Sequence, residues 1–134
     1  MFDRPSPDEL LDAVAAFLRE NLAMGTGGSV AFHARVAANA LDIARRELTL
    51  GPAARQRAQA ALARVLGTDP HSDLAMMNRQ LCERIASGAL DLATPGLADC
   101  LWQITLDKLA VDQPGYETYV RCTARDAAAD FPRR

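Results

Sequence analysis

Aromatic residues are scarce in this sequence, at 5% of 134 positions, and Lys108 is its one lysine against 14 arginines. Few large rings are available for a core, so it must be assembled from thin layers of alanine, leucine and valine that suit close helix packing. The arginine bias, together with the alanine content, reflects genome base composition rather than chemistry. Cysteine is equally sparse. Cys82, Cys100 and Cys122 are odd in number and widely spaced, which excludes the C-x-x-C pairs of zinc and redox sites and the dense even set of a secreted scaffold. No metal or cofactor is expected, and reduced cytoplasm is the natural compartment. No apolar run approaches the roughly 18 residues of a membrane span, and the opening MFDRPSPDELL lacks the basic-then-apolar order of a signal peptide. A net charge of -2 and a pI of about 5.6 argue against nucleic acid and anionic membrane as partners.

What is present is ordinary globular material: 49% hydrophobic and 24% charged residues, with 26 alanines. That composition and length predict one all-helical domain over 1–134, its ends at 1–5 and 126–134 frayed. Ser6, Pro7 and Glu9 form a capping-box start, and Leu10, Leu11, Val14, Phe17, Leu18 and Leu22 give that helix one buried stripe. Gly25 to Ser29 reads as a connector, since it lacks the spacing and the lysine of a phosphate loop. A long central second helix, 29–50, ends at Gly51-Pro52, and a third runs from 52 to 66. A fourth covers 73–87 with Leu74, Met77, Leu81 and Ile85 inward, and Thr94-Pro95 caps a fifth reaching 111. Tyr116, Tyr119, Val120 and Ala124 keep helical phase, which allows a short terminal helix. The expected fold is therefore a bundle of five main helices, with no strand alternation, internal repeat or heptad run.

The second helix carries the anomalies. Phe32, Val36, Ala37, Ala40, Leu41, Ile43, Ala44 and Leu48 fill an apolar arc, with Arg35, Asp42, Arg45 and Arg46 opposite and Asn39 at the border. His33 and Glu47 lie inside that arc. A histidine there is either a hydrogen-bonded interior residue or part of a ligand pocket, since no second metal ligand occurs at helical spacing. Glu47 near a helix C-terminus should be buried and paired with an arginine, with Arg4, Arg79 and Arg84 as candidates. From 45 to 64, five arginines face Glu47 alone, an ordinary solvated surface or an anion patch. Met76-Met77 reads as core filler.

The stretches Arg4-Pro5 with Leu10-Leu11, Ala13-Val14 and Phe17-Leu18, then Phe32-His33-x-Arg35-Val36-Ala37-Ala38-Asn39-Ala40-Leu41 with Arg46-Glu47-Leu48, and Lys108-Leu109-Ala110-Val111 with Pro114 and Tyr116, carry a resemblance. Over about residues 4 to 116 the chain resembles a family of small bacterial helical domains of unknown function, encoded beside aminoglycoside-phosphotransferase-like kinases and acyl-CoA dehydrogenases. The resemblance implies an all-helical fold and no particular reaction. It suggests a protein partner that is kinase-like or acyl-CoA-handling. Two functions follow as expectations. One is a non-catalytic interaction or regulatory module, capable of homodimerising through a helix face. The other is a small-ligand pocket protein or enzyme using His33, Asn39 and Glu47. No catalytic residue is assigned. His33, Arg35, Asn39, Arg46 and Glu47 are the candidate pocket or structural polar residues.

Overall fold

The computed structural model describes residues 5–22 and 27–129, with the backbone alone for 126–129. It is all-helical, with no strand among the described residues. Helix α1 spans Pro7–Phe17, and its start is the expected capping box: the Glu9 amide donates to Ser6 Oγ at 3.2 Å and the Ser6 amide to Glu9 Oε2 at 2.7 Å. A π-helical turn, Leu18–Leu22, continues it. The other helices are α2, Gly28–Leu66, α3, Leu74–Ala86, α4, Leu97–Asp112, and α5, Glu117–Ala129. Of the ends expected to fray, 1–5 and 126–134, residues 1–4 and 130–134 lie outside the described residues, while 126–129 continue α5; of the expected Gly25 to Ser29 connector, residues 25 and 26 lie outside them, and Gly28 and Ser29 instead open α2.

The long second helix is present, but it does not stop where glycine and proline predict. Helix α2 runs through Gly51 and Pro52 for 39 residues, fusing the expected second and third helices. Proline's fixed φ suits a helix, but its ring crowds the Leu48 carbonyl and it brings no amide to bond it, so the helix continues at a cost. The arginine-, alanine- and leucine-rich sequence on both sides favours continuation. A second difference lies at α4. Thr94 does not cap it, because its hydroxyl donates to Asp91 Oδ1 at 3.2 Å and accepts from the Asp91 amide at 3.0 Å. The chain turns instead at Gly96, whose φ of +78° favours a residue without Cβ, and α4 begins at Leu97.

Residues 1–52 and 53–134 form two compact units, and α2 contributes to both. The second unit has the larger core: Leu62, Leu66, Met77, Leu81, Leu90, Leu97 and Cys100 are buried, with Val65, Leu74 and Ile104 packed against them. Leu62 and Met77 are the largest fully buried side chains, whereas Met76 and Ile85 face outward. Asp73 caps α3 by accepting from the Met76 amide at 3.0 Å. Arg84 donates to the Leu66 carbonyl at 3.2 Å, satisfying one of the orphan acceptors at the end of α2. Among the described residues of the first unit, the buried ones with side chains are all alanine: Ala15 on α1 and Ala31, Ala34 and Ala38 on α2.

Because Pro52 sits inside a helix, Pro52→Ala should stabilise the protein by about 2 kcal/mol. That is the ~3 kcal/mol helix-interior penalty less up to ~1 kcal/mol that proline contributes by restricting the unfolded chain. Denaturant unfolding measures this, and a neutral or destabilising outcome would mean that a new helix starts at Pro52.

Candidate functional site

The first half of α2 has two chemically distinct faces. On the side marked by Ala31, Ala34 and Ala38, charged groups tie it to α1. Arg19 pairs with Asp42; Arg45 lies 3.7 Å from Asp8 and 3.8 Å from Asp12; the Thr49 hydroxyl is 3.5 Å from Asp8 Oδ1. The pairs run antiparallel, early α1 residues meeting late α2 positions. This corrects the expected solvent-facing Arg45: its side chain is 34% exposed, and its Nε is buried without a hydrogen bond. Alanine lets the two backbones come close, and the long arginines reach across at the rim.

The opposite face carries the large apolar side chains. Phe32, Val36, Ile43 and Leu50 remain 57, 49, 38 and 39% exposed. On α1 the same inversion occurs, with Leu10, Val14 and Phe17 about half exposed and Leu11, Leu18 and Leu22 half-buried. The arc expected to be interior is thus the outer one, because the alanines and salt bridges hold the inner side.

The five sequence-predicted polar residues all lie on this part of α2. His33, Arg35, Asn39 and Glu47 are exposed and Arg46 is half-buried. His33, expected in the interior, is exposed and is held within its own helix instead: Nδ1 is 2.7 Å from the Ser29 carbonyl oxygen and 3.1 Å from its Oγ. Phe32 meets the ring edge-on with centroids 5.6 Å apart. The interior position expected for Glu47 is overturned by the same phase inversion. His33 and Glu47 are 14 residues apart, roughly 21 Å along the axis, so one chain cannot join them.

A separate groove of about 700 Å³ lies in the second unit, lined by Arg57, Ala61, Arg64, Gly96, Asp99 and Cys100 among others. None of the five predicted residues reaches it. Its arginines, two turns apart on α2, belong to the arginine-rich 45–64 run. Arg57 is committed to Asp107 by two bonds, Nη2 to Oδ1 at 2.7 Å and Nε to Oδ2 at 3.3 Å, and this raises its pKa. Burial pushes the Cys100 thiol up, with Arg64 opposing the shift. A thiol held in its neutral form is a poor nucleophile, so the groove offers a cation and a carboxylate but no activated sulfur. Cys100 should therefore resist thiol reagents at pH 8 in the folded protein, while exposed Cys82 reacts first. Mass spectrometry of partially labelled protein checks this; early modification of Cys100 would refute its protection.

The corrected faces also reverse the energetic ranking of two neighbours. Arg45→Ala should cost about 1 kcal/mol, since it removes both of its contacts to α1, whereas Glu47→Ala should cost no more than about 0.5 kcal/mol. Parallel denaturant melts decide the order, and a larger cost at Glu47 would restore it to the interior.

Among the described residues no helix is long and apolar enough to cross a membrane. No curated protein and no solved structure is significantly similar to the chain. A family model does match it over residues 24–116, from the start of α2 to the turn before α5, and so takes in both the outward face of α2 and the groove. That match spans more than half of the sequence, and the chain belongs to the family described as Domain of unknown function (DUF6285).

Proposed function

We propose that this protein is a non-catalytic interaction or regulatory module of the cytoplasm that binds a protein partner through the outward apolar face of its first unit. The observation that carries this reading is the exposure of Phe32, Val36 and Ile43 in one stripe of α2, while the inner face is occupied by alanine and ion pairs. Scattered exposed apolar residues are normal on a protein surface, but a continuous stripe of large ones marks a contact surface. Arg35, Asn39 and Arg46, with His33 and Glu47, supply the polar groups that fix orientation in such a contact. The family resemblance favours a kinase-like or acyl-CoA-handling protein as the partner. The same face also suits self-association.

Phe32→Asp combined with Val36→Asp tests the reading, because both side chains are already half in water and the helix can keep its fold. The variant should lose both its self-association, measured by light scattering, and the proteins that co-purify from the native cell, at unchanged helical content. Retention of either association in the variant would move the contact off this face, and a wild-type chain that is monomeric and co-purifies with nothing would overturn the proposal.

A further inference from the structure

Helices α2 and α4 run antiparallel along the groove of the second unit, and its two ends differ in charge. At one end Arg57 is bonded to Asp107, and Gln103 donates Nε2 to the same Asp107 Oδ1 at 3.3 Å. At the other end a Cβ on Gly96 would stand 4.0 Å from Val65 Cγ2, and Arg64 lies close enough to Cys100 to draw its thiol's pKa down. That end therefore holds Arg64 from α2 and Asp99 from α4, roughly 10 Å along the helix from Arg57. Both are exposed, both line the groove, and among the described residues neither side chain has an ion pair or a hydrogen bond. Ala60, Ala61, Val65 and Pro95 supply the apolar lining. We infer that this end of the groove binds a free α-amino acid with a large apolar side chain, its carboxylate on Arg64, its ammonium on Asp99 and its side chain lying over Ala60 and Ala61. The site lies within residues 53–134 and does not use the outward face of Phe32, Val36 and Ile43.

Charge selects the ligand class. A plain anion on Arg64 would meet the Asp99 carboxylate beside it, and a plain cation on Asp99 would meet the guanidinium; a zwitterion satisfies both and adds no net charge. Arg64 and Asp99 stand at the same end of the groove, so the two charges of the ligand must be close together. In an α-amino acid they are carried on one carbon, whereas a peptide separates its termini by about 3.3 Å for every residue added. The planar guanidinium fork matches a carboxylate edge on, which an ammonium side chain would not do. At the far end Asp107 already receives Arg57 and Gln103, so that end adds no free charge to compete and bounds the space left for the side chain. A volume of about 700 Å³ is well within the range of small-molecule sites, and the small Ala60 and Ala61 leave room that glycine or alanine as ligand would not fill. Because Arg64 and Asp99 are exposed, water screens both contacts and the binding is weak and reversible.

An NMR titration of the full-length protein with L-phenylalanine and with L-leucine tests the assignment. Each should shift the amides of Ala61, Val65, Asp99 and Cys100 along a saturating curve, and glycine should bind about tenfold more weakly or worse. Phenethylamine, which lacks the carboxylate, and hydrocinnamate, which lacks the ammonium, should each lose about tenfold or more against L-phenylalanine. Arg64→Gln and Asp99→Asn should each weaken L-phenylalanine by a similar factor; both positions are exposed, and circular dichroism verifies that the helices persist. The variant Phe32→Asp with Val36→Asp should bind L-phenylalanine as the wild type does. Shifts that fail to saturate with either amino acid overturn the site. Hydrocinnamate or phenethylamine binding as tightly as L-phenylalanine overturns the zwitterion and leaves a plain anion or cation site. Unchanged affinity in either Arg64→Gln or Asp99→Asn overturns the pairing with both charges.

Discussion

The alanine spacing on α2 is the constraint on which the first unit depends. Ala31, Ala34 and Ala38 place the smallest side chains along one line of the helix, and Ala15 does the same on α1. Small residues bring helix backbones close enough for Arg45 and Arg19 to span to carboxylates on the other helix, and at that separation leucine or phenylalanine would have to force the helices apart. Once the alanines take the inside, the larger residues are left facing out. The outward stripe, its flanking histidine and glutamate, and every contact proposed for them follow from that choice.

Much of the architecture could be read from the sequence because local signals and packing agreed. The capping box at Ser6 and Glu9 is used as expected, the fourth helix falls within its expected 73–87, and Met77 and Leu81 are core residues in phase. The failures have specific causes. Gly51-Pro52 is a strong local stop, yet proline's φ suits a helix and the neighbouring residues outweigh the lost hydrogen bond. The phase of α2 inverts because its large apolar side chains do not mark its buried face. Ala31, Ala34 and Ala38 lie on the face away from Phe32, and their small size is what suits that face to close packing on α1. Glu47 and His33 therefore moved outward, and Arg45 inward. The groove was invisible because Asp99, Asp107 and Gly96 are distant in sequence from Arg57 and Arg64.

The two units divide the work differently. Residues 53–134 hold a conventional leucine and methionine core, and the ion pair of Arg57 at their groove, to Asp107, has its carboxylate only 14% exposed. Its geometry is that of a brace between α2 and α4, since both guanidinium bonds are spent within the chain. Residues 1–52 have the reverse character: little apolar surface inside, a good deal outside, and electrostatics at the seam.

An interior made of methyl groups has a thermodynamic consequence. Alanine removes little apolar area from water when it is buried, so the first unit gains less from its own packing than the leucine-rich second unit does. Its amides should exchange with solvent through local openings that leave residues 53–134 folded, giving one chain two tiers of protection. A contact that covers the outer stripe adds the missing burial and raises the lower tier toward the upper. Binding at that face would then be legible as order gained within the unit itself.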